Sequence, residues 1–149
     1  GHEGAGKRDV DPRPLTVRGK QLIGKSVTNL RGDELGTVED LVIAVSAGRL
    51  HYVALARGGV LGFGDKLFAI PWRKFGYHLA SDDKPGQFRL LLDVDQARLA
   101  EAPGFDKDHW PDVGDPEFSD AIDRYYGIGS EDARQPAGGG GPVQEADDG

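Results

Sequence analysis

Between residues 21 and 92 short apolar runs alternate with tight-turn chemistry, and this alternation limits what the chain can fold into more than any other feature. "LIGKSVTNL" leads into "RGDELG", "TVEDLVIAV" into "SAGRL", and "LHYVALA" follows. "KLFAIPW" and "WRKFGYHL" come next, then "SDDKPG" and "QFRLLLDV". The runs are rich in β-branched and aromatic residues, which fit a pleated, half-buried surface. Gly, Asp, Asn and Ser separate them about every 8–12 residues, the rhythm of a small antiparallel barrel or sandwich. No ten-residue helical period precedes position 93. Pro71 carries no backbone donor, which marks the end or edge of its strand.

Beyond residue 93 the pattern changes. "DVDQARLAEAPG" offers an aspartate N-cap and a Pro-Gly stop, and so predicts one short helix. "DPEFSDAIDRYYG" predicts a second, with Asp115 as cap, Pro116 at the first helical position and Gly127 as terminator. Phe118, Ala121, Ile122, Tyr125 and Tyr126 form one apolar stripe. Such a stripe must cover the β structure or pair with a second copy. The expected organisation is a flexible arm over 1–18, a β-barrel over 19–92, a helical extension over 93–129 packed on the barrel or a partner, and an acidic Gly-rich tail over 130–149. The tail is too polar to order itself.

Charge is unevenly placed. Residues 1–90 hold 14 Lys+Arg against 10 Asp+Glu, whereas residues 91–149 hold 4 against 15. The acidic back half repels nucleic acid and anionic lipid, and the front half is mildly basic. Lys20, Lys25, Arg31, Arg49, Arg57, Lys66, Arg73 and Lys74 supply that basic character. The aromatics Phe68, Trp72 and Phe75 fall where a small barrel needs core, so they are not free to stack on bases. No DNA partner is expected. No apolar run reaches the roughly 18–20 residues needed to cross a bilayer. With no cysteine, thiolate chemistry, disulfides and Cys-bearing zinc sites are excluded. The opening Gly-His is a cloning remnant or the product of leader removal; the cytoplasm is the expected compartment, with export after signal-peptide cleavage as the alternative.

Four motifs invite a chemical reading. "GGVLGFGDKLFAIPW" is glycine-rich, but Asp65 stands before Lys66 and Leu67 occupies the hydroxyl position of a phosphate-binding loop. It reads as a corner between strands, with Leu61 and Phe63 at its tip as candidate partner contacts. "DKDHWPDVGDPE" has the end carboxylates of a calcium loop, yet Trp110 and Pro111 stand where an oxygen ligand and a glycine are required. It reads as a lid with Trp110 packed inward. His2, His51, His78 and His109 form no ligand pair; His51 reads as a strand-face residue. Glu39 and Asp40 are adjacent, so on a regular strand they point to opposite faces and cannot share a proton. No catalytic residue, cofactor site or metal site is expected.

"LIGKSVTNLRGDELGTVEDLVI", "GRLHYVALARGG" and "GFGDKLFAIPW", in that order, resemble the PRC-barrel family over roughly residues 20–92. The family is named for the cytoplasmic domain of the H subunit of the purple-bacterial photosynthetic reaction centre. The following "APGFDKDHWPD…DPEF…YYG" is similar to an extension on stand-alone bacterial members. The resemblance implies a small antiparallel β-barrel that docks on larger assemblies, with no enzymatic activity. Protein partners are expected, a homodimer among them, with Leu61, Phe63, Phe118, Ile122 and Tyr125 as candidate contacts. The alternative is an RNA- or ribosome-associated role, since a related barrel occurs in a ribosome-maturation factor. This chain lacks that factor's second barrel. Stand-alone relatives carry an acidic residue after "VEDLVI", where this chain has Ala44.

Overall fold

The computed structural model describes residues 15–57, 66–81, 83–84 and 86–129. The loop bearing Leu61 and Phe63, the arm up to residue 14 and the tail from residue 130 lie outside the described residues. The elements in chain order are helix α1 (Gly19–Leu22), β1 (Ser26–Thr28), β2 (Glu34–Ala44), β3 (Arg49–Ala56), β4 (Lys66–Pro71), a 3-10 turn (Trp72–Lys74), β5 (Phe75–Leu79) and β6 (Phe88–Leu92). Helix α2 (Gln96–Ala100), β7 (Phe105–Asp106) and helix α3 (Pro116–Tyr125) complete the chain.

The strands form one seven-stranded sheet in the order β5-β6-β1-β2-β3-β4-β7. The expectation of an all-antiparallel sheet fails at one pair. β1 and β6 run parallel, with Val27 opposite Leu90 and Thr28 opposite Leu91. The cause lies in the Trp72–Lys74 turn. Following the pairings outward from β1, β4 and β5 share one direction, so this turn carries the chain onward instead of reversing it. β6 then returns alongside β1 in the same sense as β1.

The same turn curls the sheet. In a flat sheet β4 and β5 would lie five strand spacings apart, about 24 Å. Yet Phe75 follows Pro71 by four residues, a reach of at most about 14 Å. The sheet must therefore wrap on itself. Among the described residues no ladder joins β4 to β5, so the closed barrel expected from the sequence is here a curled, open sheet with β5 and β7 as its edges.

Register places Val27, Val53, Leu55, Phe68, Ile70 and Leu92 on one side of the sheet and Tyr52 on the other, all buried, and Leu99, Ile122 and Tyr126 from the extension join the same cluster. "LIGKSVTNL" is not one strand. Its start is helical, Gly24 turns the chain at φ 89°, and only Ser26–Thr28 pair. Asn29 closes the next turn, its Oδ1 accepting from the backbone N–H groups of Arg31 and Asp33. Among the described residues no helix is long and apolar enough to cross a membrane.

Candidate interaction surface

The apolar stripe of α3, apart from the exposed Ala121, packs within its own chain. Asp115 caps the helix by accepting from Glu117 N–H at 3.0 Å. The far end closes with the paired bonds of a Schellman motif, Ile128 N–H to Asp123 O and Gly127 N–H to Arg124 O, with Gly127 at φ 75°. Held this way, the helix turns Ile122 inward until 2% of its surface is exposed. Phe118 meets Tyr52 and Phe105 edge-on, at 6.1 and 6.4 Å between ring centroids. The Arg98 guanidinium lies 4.2 Å from the centroid of the Tyr125 ring, and the Tyr125 hydroxyl donates to Arg98 O. Of the expected contact residues, then, Ile122 is core, while Phe118 and Tyr125 are half-buried against neighbours in the same chain.

Two β-bulges shape the sheet beneath α3. Val38 pairs with Leu55 but Asp40 with Ala54, which leaves Glu39 as the extra residue. Alternation breaks there, and both Glu39 and Asp40 are exposed instead of facing opposite sides. Val42 pairs with Tyr52 but Ile43 with Leu50, which leaves His51 unmatched. That irregularity brings the His51 and Tyr52 rings to 4.1 Å. The Tyr52 hydroxyl, at the end of a fully buried ring, donates to Asp123 Oδ1 at 3.3 Å. Neither bulge was legible in the sequence, because register depends on the partner strand.

This cluster couples three titratable groups. Burial pushes the His51 imidazole below its usual range; the Asp123 charge opposes the shift and Arg49 adds to it. Burial pushes Asp123 up, against the Tyr52 hydrogen bond and the nearby His51. Burial and the Asp123 charge both push the Tyr52 hydroxyl up. Ser119 is close in sequence to Asp123, but its hydroxyl donates to Pro116 O, and among the described residues no hydrogen bond joins it to His51. The arrangement can lock α3 to β3.

A linkage prediction follows from Asp123. A carboxyl with a raised native pKa binds its proton more tightly folded than unfolded. Stability from this group is therefore present below the ordinary aspartate range and is lost as pH rises through the native value. Asp123→Asn, which removes the buried charge, is expected to raise the melting temperature at pH 7. The two proteins should converge below pH 4. A lower melting temperature for the variant at pH 7 would contradict the sign.

The calcium-like segment is otherwise employed. Asp106 pairs with His109 at 3.7 Å, Asp112 accepts from Gly114 N–H, and Asp115 caps α3. Among the described residues no cluster of three or more His, Asp or Glu side chains is placed to hold a metal. Trp110 is a correction: it rests on Phe105 at 4.8 Å but stays 39% exposed, not packed inward. Phe68 and Phe75 are buried, as core placement required, and Trp72 is half-buried and stacked on Phe75.

Other apolar side chains are exposed: Ile23 and Leu30 flank β1, and two more stand together on the β2–β3 hairpin. β1 pairs with β2 only over Glu34–Thr37, and β4 with β3 only over Tyr52–Ala56. The rest of the β2–β3 hairpin extends past both neighbours as a two-stranded arm. Ile43 is 50% and Val45 85% exposed on it. The Asp40 carboxylate accepts from Leu41 N–H at 2.7 Å, which occupies an amide of the β2 edge and discourages strand addition there.

A model of the PRC-barrel domain matches residues 15–99, more than half of the chain. The chain belongs to the PRC-barrel family. Its match takes in α1 through most of α2, beyond the 20–92 stretch that carried the resemblance. Among curated proteins, none matches this PRC-barrel chain. β7 and α3 lie outside the matched span, and they supply the seventh strand and the cover over Tyr52. Ala44 lies between Ile43 and Val45, and the arm tip has no charge from Leu41 to Val45.

Proposed function

We propose that this PRC-barrel protein is a non-enzymatic interaction module that docks on a protein partner through the apolar tip of its β2–β3 arm. The observation that carries the reading is the exposure of Ile43 and Val45 on a hairpin that outruns its neighbouring strands. Exposed β-branched residues on a twisted ribbon offer a contact that excludes water with little side-chain entropy to lose. Family resemblance supports the same reading, since it implies barrels that dock on assemblies. The lock of His51, Tyr52 and Asp123 then serves to hold the platform rigid.

The test is a paired capture experiment from the native host with the parent chain and Val45→Asp. Because Val45 is exposed, the substitution should leave the melting temperature within about 1 °C while losing the captured protein. Sedimentation of the same pair separates a heterologous partner from a second copy. Self-association would appear as a doubled mass in the parent and a single mass in Val45→Asp. A partner retained equally by both proteins would remove the arm from the interface.

A further inference from the structure

Three titratable side chains from two elements meet where α3 lies on β3. The His51 imidazole, on the unmatched residue of the second bulge, is half-buried and lies against the Tyr52 ring. The Tyr52 hydroxyl reaches across to Asp123 of α3. The charges that act on this cluster are Asp120 and Asp123 of α3, Arg49 of β3 and Arg73 of the 3-10 turn. Among the described residues the His51 ring makes no hydrogen bond or ion pair.

A neutral imidazole suits that place. Protonation would add a second N–H donor where the described residues supply no acceptor, and a half-buried charge without a partner is costly. Arg49 repels it further. The Asp123 carboxylate attracts it, but burial outweighs that attraction and holds His51 below its usual range. Once α3 lifts off β3 the ring meets water and regains its ordinary proton affinity. The hold of α3 that comes from His51 is therefore fully present above the ordinary histidine range and is lost as pH falls below it. Asp123 has the opposite sign: burial pushes it up, so the seated helix gains as pH falls through the native carboxyl value.

The helix also packs on β4. Register puts Ala54, Leu67, Ala69 and Pro71 on the Tyr52 side of the sheet, and all are buried. We infer that α3 is an acid-sensitive cover over this apolar face, seated while His51 is neutral and eased off β3 as His51 takes up a proton. The attachment suits release. Of the apolar stripe only Ile122 and Tyr126 are buried, and a helix of 10 residues is marginal on its own. No residue from 107 to 115, the segment that leads into α3, is buried, so it can move without opening the core. Ile43 and Val45 take no part in this cover, and a silent arm would leave it untouched.

The test is hydrogen exchange of the full chain, followed by NMR at pH 7.5 and 5.5 and corrected for intrinsic exchange rates. The Ile122 and Tyr125 amides should open more often than those of Val53 and Leu55 at both pH values, the mark of an element that lifts without global unfolding. Their opening should grow on acidification by up to about tenfold, the limit that an ordinary histidine sets over that interval. His51→Gln should show no such growth. In the parent the His51 ring protons should report proton uptake below the ordinary histidine value, a measurement that needs no variant. Exchange of α3 only in step with β3 would overturn the proposal, as would an opening that does not grow or that grows equally in His51→Gln. An imidazole that titrates at or above its ordinary value would overturn it too.

Discussion

Replacing Gly36 by alanine is expected to destabilise the protein by about 3–5 kcal/mol, a large part of the total of a small domain. Gly36 sits in β2 at φ 151°, opposite Val27 of β1. A Cβ there would stand 2.3 Å from Ala56 O and 3.1 Å from Ala56 C. Both are backbone atoms of β3, so relief requires moving a strand, not a side chain. Gly48→Ala is the control. Gly48 also has positive φ, 70°, but a Cβ there meets nothing within 4 Å. It should cost only the left-handed strain, about 1–2 kcal/mol. Urea denaturation of the two variants measures the difference. Equal losses would mean that β2 and β3 do not approach as closely at Gly36 as described.

Ile122→Ala is the second large effect, an expected loss of about 2–4 kcal/mol with no change of mass in solution. Ile122 is the buried anchor of α3 and belongs to the same core as Tyr52 and Leu99. The apolar stripe could have met a second copy instead, and the two possibilities predict opposite readouts. Internal packing lowers the melting temperature of whatever species is present. An interface would dissociate at the same melting temperature. Tyr125→Ala should cost less than Ile122→Ala, because Tyr125 is only half-buried, with its hydroxyl on Arg98 O and its ring against the Arg98 guanidinium and the Tyr126 ring. A dissociated but equally stable Ile122→Ala protein would move α3 from the core to an interface.

These two residues show how far the sequence could be read. Ile122 was legible as part of an apolar stripe, for core or partner, because helical spacing and the Asp115-Pro116 start are local properties. What it packs against was not. Gly36 lay in a stretch that read as an ordinary turn, yet it is a strand residue that needs glycine because β3 passes close by, 20 residues further along the chain at Ala56. The proposed interaction surface differs from the expected one for the same reason. Phe118, Ile122 and Tyr125 were legible as apolar and proved to be occupied. Ile43 and Val45 looked like ordinary strand residues until pairing showed that neither β1 nor β4 extends alongside them. The approach of Asp123 to Tyr52 and His51 likewise exists only through register and packing.

From sequence alone came the mainly β class, the start and stop of α3, the family resemblance and the lack of a cysteine site. All of these depend on residues within a few positions of one another or on composition. The tertiary structure decided the parallel β1–β6 pair, the two bulges, the seventh strand from the extension, and which apolar residues remain exposed. Each of those depends on the backbone of a distant segment, whose direction and register a turn motif does not encode. The Trp72–Lys74 turn is the clearest instance. Three ordinary residues there carry the chain forward instead of back, and the curl of the sheet follows from that direction.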